Sequence, residues 1–356
     1  MKFNEKRFLA LHFEMTGKCN LRCKHCYNID YLKSQYDDLN TEQVKKIIDK
    51  SLALGCKDIG FSGGEPFARN DILEIINYCK DYPIHILTNG LLITDDIIKK
   101  LNEIDNLLLE FRISLDGLKS HAFLRNVQYS KILDIIKKLL ENDYVVTVNT
   151  MITDENLDEL LEMYNLLKKM KVDRWRLDFV FNSGNANENS LKLTNTVQLF
   201  DVLKKLIKSY IKEQPDLILD INKVFRSSFL YGFEPFNYSL NSKPCEYQGS
   251  LTIRPNGDVS FCPSMNKTFG NILTEDMSQI IEKSEWKEFA NIKVKDLDNK
   301  CKKCEFMKYC GGGCRADGFY DTGNIKGISP LNCELIKFFV KEVLPLIECY
   351  KNCKKK

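Results

Sequence analysis

The sequence has no apolar run approaching the roughly 18 residues that a membrane-spanning helix needs. Its opening stretch, MKFNEKRFLALHFEMTGKC, shows neither a long apolar h-region nor a small-residue cleavage site. A secretory signal is therefore not expected, and a cytoplasmic protein is. An excess of one charge is also missing: 52 basic residues face 49 acidic ones, for a net +3. That balance gives no reason to expect nucleic acid or an anionic membrane as a partner. The basic tail KNCKKK reads as a solvated chain end. Histidine is scarce, with only His12, His25, His85 and His121, and no H-E-x-x-H pattern occurs. Each histidine therefore reads as structural rather than as a metal ligand. No internal repeat or low-complexity tract stands out.

Cysteine is abundant: the 356 residues include fourteen. A reducing cytoplasm disfavours structural disulfides, so clustered cysteines there read as metal ligands or redox groups. Ten of the fourteen fall into two spaced sets, leaving Cys56, Cys79, Cys349 and Cys353. Cys56 and Cys79 lie in or beside helical patterns and read as packed thiols. The apolar fraction of 44% is enough for a sizeable core, and the length suggests two or three domains.

The first half alternates between strand and helix patterns. Apolar runs at 8–16, 58–64, 84–90, 107–117, 144–152 and 173–181 read as strands, with helical periodicity between them. In the helix at 40–55, Asn40 and Gln43 resemble a capping box and Gly55 is the stop. Thr94 is placed to cap the helix that follows it. Six such units predict either a doubly wound sheet or an open partial (β/α)6 barrel. The polar signatures MTGKC, FSGGEP, LTNG and SLDG all sit at C-terminal strand ends, where a barrel builds its active site, and this favours the barrel. The expected organisation is a barrel over 1–185, a bridge over 186–244, a small cysteine-rich α+β domain over 245–333, and a C-terminal helix with a basic tail over 334–356. Pro345 predicts a kink or stop in that helix.

The first cysteine set, Cys19, Cys23 and Cys26, has the spacing C-x3-C-x2-C. Three thiolates on one loop can each hold one iron of a 4Fe–4S cubane and leave the fourth iron open. A three-cysteine zinc site is the competing reading of the spacing alone. The loop follows the first strand, and SGGEP (62–66) follows the second. This combination resembles the radical S-adenosylmethionine (radical SAM) superfamily over residues 8–181. The resemblance implies that the open iron chelates the amino and carboxylate groups of S-adenosylmethionine. Reductive cleavage then gives a 5′-deoxyadenosyl radical that abstracts hydrogen from substrate, the cofactors carrying the hard chemistry. It also implies that Gly63 and Gly64 let backbone approach the methionine end closely, and that Glu65 pairs with the ammonium group. Tyr27 is implied to pack near adenine, Ser114 and Asp116 to contact the carboxylate and ribose, and Arg125 to pair with the carboxylate. TNG (88–90) carries little weight as a direct contact.

The second set reads C-x11-G-x4-C for Cys245, Gly257 and Cys262. It continues as C-x2-C-x5-C-x3-C for Cys301, Cys304, Cys310 and Cys314, and ends at Cys333. LTIRPNGDVSFC reads as a β-hairpin turning at Pro255–Gly257. A zinc ribbon would also suit a hairpin ending in cysteine, although seven cysteines fit neither one nor two four-ligand zinc sites. The full pattern resembles the SPASM extension of many radical SAM enzymes, which implies two auxiliary 4Fe–4S clusters and three clusters in all. By that resemblance Cys301, Cys304, Cys310 and Cys333 hold the distal cluster, and Cys245, Cys262 and Cys314 the proximal one. The proximal cluster is one protein ligand short. Either Cys349 or Cys353 supplies it from the tail, or an iron stays open for substrate; the open site is favoured because the tail lies beyond the usual motif.

The resemblance implies a maturase that installs a thioether or other crosslink in a ribosomally made peptide, or epimerises a residue. The alternatives are oxidation of a protein side chain, as in formylglycine formation, oxidation of a small molecule, or a non-catalytic zinc or iron–sulfur protein. In the family's sulfatase-maturing members an aspartate base follows the second SPASM cysteine; here Pro263 does, although Asp258 is near in sequence. Eighteen residues precede Cys19, so a separate leader-peptide-binding protein or the barrel mouth is expected to bind any leader. A flavodoxin or ferredoxin is the expected reductant. The motifs describe the radical generator and identify neither the substrate nor a catalytic acid, base or hydrogen donor.

Overall fold

The structure is a computed structural model that describes residues 10–34, 36–233, 237–245 and 250–354. The first residues of the earliest expected strand and positions 246–249 of the second cysteine set lie outside the described residues.

Seven parallel strands run in sequence order across one sheet: β1 (Ala10–Glu14), β2 (Asp58–Ser62), β3 (Ile84–Thr88), β4 (Leu109–Ser114), β5 (Val145–Ile152), β6 (Arg174–Phe179) and β7 (Ile218–Ile221). A short β8 (Phe225–Arg226) pairs antiparallel with β7 and ends the sheet on that side. The six expected units are present, and β7 adds a seventh within the stretch read as a bridge. Only four residues long, β7 follows the helix Thr196–Glu213 after a short polar turn. Its ILDI sequence was too brief to carry a period-2 signal by itself.

Side chains alternate across the strands. One set, including Phe13, Phe61, Ile86, Phe111, Val148 and Trp175, packs in one core with Val44, Ile48, Ile75 and Ile136 of the flanking helices. The other set is polar and shares the opposite face. On it Arg112 pairs with Glu110, Arg174 with Asp220, and Arg176 with Asp178. The helices form where the sequence placed them. Asn40 and Gln43 make a reciprocal capping box at 2.9 Å in both directions, opening α1 (Thr41–Ala53). Gly55 turns the chain at φ +100° beyond its end. Thr94 Oγ1 accepts from Ile97 N at 3.3 Å to cap α2 (Asp95–Asn102).

The expected hairpin forms between β9 (Ser250–Ile253) and β10 (Asp258–Ser260), with β11 (Thr268–Asn271) beyond it. Gly257 takes φ +86° in its turn. This hairpin is not a separate sheet: β9 lies parallel to β1, with Ala10 opposite Ser250 and Phe13 opposite Ile253. The C-terminal cysteine-rich region thus continues the barrel sheet past its first strand.

The last helical stretch runs unbroken from Pro330 to Lys354, with a π-helical turn at Phe339–Val343. Of the kink or stop expected at Pro345, the stop does not occur: the widened turn just before it accommodates the missing N–H and the ring, and the helix continues. Its final part is α3 (Leu344–Lys354). No helix among the described residues is long and apolar enough to cross a membrane.

Candidate functional site: a thiol loop at the mouth of the barrel

Beyond their strands, the loops after β1 and β2 run side by side. Met15 N donates to Ser62 O at 2.8 Å, Gly64 N to Thr16 O at 2.7 Å, and Glu65 N to Lys18 O at 2.8 Å. This contact explains the two glycines. Gly63 sits at φ +122°, and a Cβ there would meet Thr16 O at 2.7 Å; a Cβ on Gly64 would meet Lys18 O at 2.1 Å. The close approach they permit is first to the chain leading into Cys19, rather than to a ligand. Asp38 fixes the same segment, accepting from Thr16 Oγ1 at 2.5 Å and Gly17 N at 2.9 Å.

The loop carrying Cys23 and Cys26 is stapled from the far side of the barrel. Asn185 Nδ2 donates to Cys23 O at 3.0 Å, Asn185 N to Cys26 O at 3.0 Å, and Lys24 N to Leu124 O at 2.9 Å. Burial raises the pKa of all three thiols. Cys26 reaches about 12, with Cys23 the next contributor. Thiols so disposed stay protonated in water at neutral pH and lose their protons to solvent only when a metal binds the sulfur. Arg125 Nη1 lies 3.7 Å from Cys23 Sγ, which favours a thiolate there. His25 Nδ1, beside Cys26, is buried without a partner.

Glu65 is buried and held by three donors. Thr88 Oγ1 at 2.6 Å and Phe67 N at 3.2 Å bond its Oε1, and Asn89 N at 2.9 Å bonds its Oε2. Burial raises its pKa, and these hydrogen bonds only partly offset that. Capacity for another donor remains on Oε2. Thr88 and Asn89 belong to TNG, whose place at the site is therefore to set Glu65. Asn89 Nδ2 also donates to Asn20 Oδ1 at 2.9 Å, joining β3 to the cysteine loop.

Asp116 is fully buried, and both its oxygens are engaged. Arg125 Nε donates to Oδ2 at 2.5 Å, Met151 N to Oδ1 at 2.9 Å, and His25 Nε2 lies 3.3 Å from Oδ2. Burial alone would raise its pKa; Arg125, then His25, override this and bring it down to about 2. In this geometry Asp116 holds Arg125, and a direct contact to a bound carboxylate or ribose is not what its oxygens offer. Ser114 ends β4 opposite Asn149 of β5. Asn149 Oδ1 is buried without a partner, an acceptor suited to a hydroxyl. Tyr27 is half-buried, with its ring 6.5 Å from that of Phe181.

The second thiol set divides by neighbourhood. Cys262 is pushed up to about 12 by burial, with Cys314 and then Cys245 adding to the shift. Cys301 is pushed up to about 11 by burial, then by Cys310, with Cys333 and Cys304 adding. The SPASM resemblance expects Cys245, Cys262 and Cys314 in one group and Cys301, Cys304, Cys310 and Cys333 in the other, and the thiols that raise Cys262 and Cys301 each come from their own group.

One residue was not read from the sequence, and two that were named there find other places. Arg254, just past β9, is buried, and its Nη1 lies 2.5 Å from Glu14 Oε1. Its Nη2 donates to the carbonyls of Pro263 at 3.1 Å and Met265 at 2.8 Å. It thereby ties the loop after Cys262 to the end of β1. Asp258 is bound by Asn256 Nδ2 and Asn271 Nδ2, each at 3.0 Å, on the hairpin. Nor do the tail cysteines reach the barrel mouth. Tyr350 OH and Lys354 Nζ of α3 donate to Gln214 Oε1 at 2.7 and 3.1 Å. Gln214 precedes β7, at the end of the parallel strands opposite the cysteine loops, and Cys349 and Cys353 are exposed.

Comparison with known proteins agrees with this architecture. The Radical SAM superfamily matches residues 13–167, and the SPASM family, an iron–sulfur cluster-binding domain, matches residues 245–305. The chain is 26% identical over 336 residues to an AdoMet-dependent heme synthase of Methanosarcina barkeri, covering 90% of this chain and 94% of that one. It is 26% identical over 346 residues to a PqqA peptide cyclase of Bradyrhizobium diazoefficiens, covering 90% and 85%. Among solved structures, anSMEcpe with bound AdoMet and a Cp18Cys peptide superposes at a TM-score of 0.76 and 19% identity, over 97% of this chain and 99% of that one. Streptococcus suis SuiB bound to precursor peptide SuiA superposes at 0.72 and 18%, over 92% and 76%. A radical SAM domain implies one 4Fe–4S cluster and S-adenosylmethionine, and a SPASM domain implies auxiliary iron–sulfur binding. The chain is thus an enzyme that carries a radical SAM domain over residues 13–167 and a SPASM domain over residues 245–305.

Proposed function

We propose that this enzyme is a maturase that modifies a ribosomally made peptide, by thioether or other crosslinking or by epimerisation. The observation that carries the reading is the reach of the loop after Cys262 to the first thiol loop: Arg254 bonds Glu14 together with the Pro263 and Met265 carbonyls, and Asn266 Nδ2 donates to Asp30 Oδ2 at 2.9 Å, four residues past Cys26. This supports a mouth at which a substrate meets both thiol sets. A peptide substrate is supported by the PqqA peptide cyclase relative and by the peptide-bound SuiB and anSMEcpe folds. When bound, a cluster on Cys19, Cys23 and Cys26 together with S-adenosylmethionine would supply a 5′-deoxyadenosyl radical. Around them Glu65 would accept the ammonium group, Arg125, oriented by Asp116, would meet the carboxylate, and Tyr27 would flank the adenine. Ser114 and Asn149 offer polar groups to the ribose. Gly63 and Gly64 hold the two loops close enough to form this cradle.

Two auxiliary clusters, giving three in all, are the proposed complement. Cys301, Cys304, Cys310 and Cys333 would hold the distal one. Cys245, Cys262 and Cys314 would hold the proximal one with an open iron, a reading supported by the position of α3 away from the mouth. A formylglycine-type oxidation is disfavoured, since Pro263 has no side-chain base and Asp258 is engaged on the hairpin. A flavodoxin or ferredoxin would deliver the electron, a separate protein would present any leader peptide, and a reducing cytoplasm would keep the free thiols reduced.

The experiment combines reconstituted enzyme, reductant and S-adenosylmethionine with peptides encoded beside its gene. Loss of two hydrogens from the peptide marks a crosslink, and deuterium uptake from solvent without other mass change marks epimerisation. If 5′-deoxyadenosine forms and no such peptide changes while a porphyrin or nucleotide is turned over, the peptide reading is wrong.

A further inference from the structure

Lys223 lies between β7 and β8 in the left-handed region, at φ +65°. A non-glycine residue held there carries backbone strain that the surroundings must offset. Its ammonium crosses to the C-terminal region, donating to Asp317 Oδ2 and, at 2.6 Å, to Asn332 Oδ1. The Lys223 and Asp317 side chains are 24% and 15% exposed, so the pair is only partly screened by water.

The surroundings of this pair are the auxiliary thiols. Asp317 follows Cys314 by three residues, in the helix Arg315–Thr322 that Cys314 caps. Asn332 directly precedes Cys333. It is buried, and its Nδ2 donor has no partner. The position of a Cβ on Gly313, next to Cys314, lies 3.0 Å from that donor. An ammonium and a free amide N–H thus stand between one thiol of the proximal group and one of the distal group. On the barrel side, Asn222 bonds Asp178 at 2.8 Å.

An iron–sulfur cluster gains negative charge on reduction, and its potential responds to nearby charge and to hydrogen bonds at sulfur. We propose that the Lys223–Asp317 pair is an electrostatic control on the auxiliary cluster that Cys314 would hold, with Lys223 raising its reduction potential and Asp317 lowering it. This rests on Cys314 being a ligand of that cluster, as proposed above.

The test is an EPR-monitored redox titration of anaerobically reconstituted full-length enzyme. K223M should shift the auxiliary midpoint to a more negative value and D317N to a more positive one. K223R should stay near wild type, and K223M/D317N should fall between the two singles. A role in folding alone would not produce shifts of opposite sign. If K223M loses its clusters, the D317N and K223R results decide. An unchanged midpoint in K223M or D317N where that variant keeps its clusters, or shifts of the same sign in the two, overturns the proposal. An iron content near four per chain in the wild type, where three cubanes give about twelve, would instead overturn the auxiliary-cluster assignment on which it rests.

Discussion

Arg254 and Glu14 are 240 positions apart in the chain, yet their side chains meet at 2.5 Å in the interior. The two are 2% and 0% exposed. Breaking a buried pair by removing one partner strands the other charge and costs about 3–5 kcal/mol. R254M and E14Q are each expected to destabilise the protein on that scale, read by urea unfolding of the metal-free chain. The double variant should recover part of the loss. Single variants within about 1 kcal/mol of wild type would show that water reaches this pair, because exposed pairs are worth no more than that.

Cluster ligation by the first loop predicts a clean separation. C23A should abolish 5′-deoxyadenosine formation and lower iron from about twelve to about eight per chain. C314A should lower iron while leaving cleavage of S-adenosylmethionine measurable. Retained 5′-deoxyadenosine in C23A would contradict the assignment.

The tail cysteines should be dispensable for metal binding. Their helix packs on Gln214, away from the thiol groups. The double variant C349S/C353S is expected to keep wild-type iron, sulfide and EPR signals. Loss of one cluster's iron would show that the tail closes the proximal site.

Glycine at position 64 is required by backbone, not by ligand. A Cβ there would stand 2.1 Å from Lys18 O, so G64A must push the two loops apart. The expected result is lost iron at the first loop with little change at the auxiliary thiols, seen by iron analysis and EPR. In contrast E65Q keeps its shape and most of its hydrogen bonds. It should weaken S-adenosylmethionine binding by tenfold or more, about 1.4 kcal/mol, with cluster content unchanged.

Burial brings His25 and His121 down from 6.5 to about 4. Both are neutral at pH 7 in the native state. As pH falls through 6.5 the unfolded chain takes up protons that the native protein does not, so stability drops until about pH 4. Each group contributes up to about 3 kcal/mol to that loss. Asp116, held at about 2, acts in a lower window, its contribution fading from about pH 4 downward. Thermal unfolding of the metal-free protein at pH 7 and pH 5 should show a lower midpoint at pH 5, and H121Q should reduce the difference. Equal midpoints would show that the rings are hydrated.

Much of the site is local in sequence and could be read there. The thiols of C-x3-C-x2-C must be neighbours because eight residues cannot spread far. The barrel followed from strand and helix periods that each segment satisfies alone, with the strand-end motifs deciding against a doubly wound sheet. Less legible was why each residue is needed. Gly63 and Gly64 were expected to make room for a ligand, and they first make room for Thr16 and Lys18. Asp116 was expected at the ligand, and its oxygens are filled by Arg125, Met151 and His25. Thr88 and Asn89 carried little weight, and they set Glu65. These are pairings between loops of different strands, which no spacing along the chain encodes.

The sequence by itself determined the thiol spacing, the strand-end motifs and the radical SAM and SPASM domains, because these are short-range constraints. Only the tertiary structure decided that β9 joins β1 in one sheet, that Arg254 locks the Cys262 loop to Glu14, and that α3 lies at the far end from Cys314. The physical reason is that β-pairing and buried ion pairs join residues hundreds of positions apart, and their partners are chosen by the packing of the whole sheet.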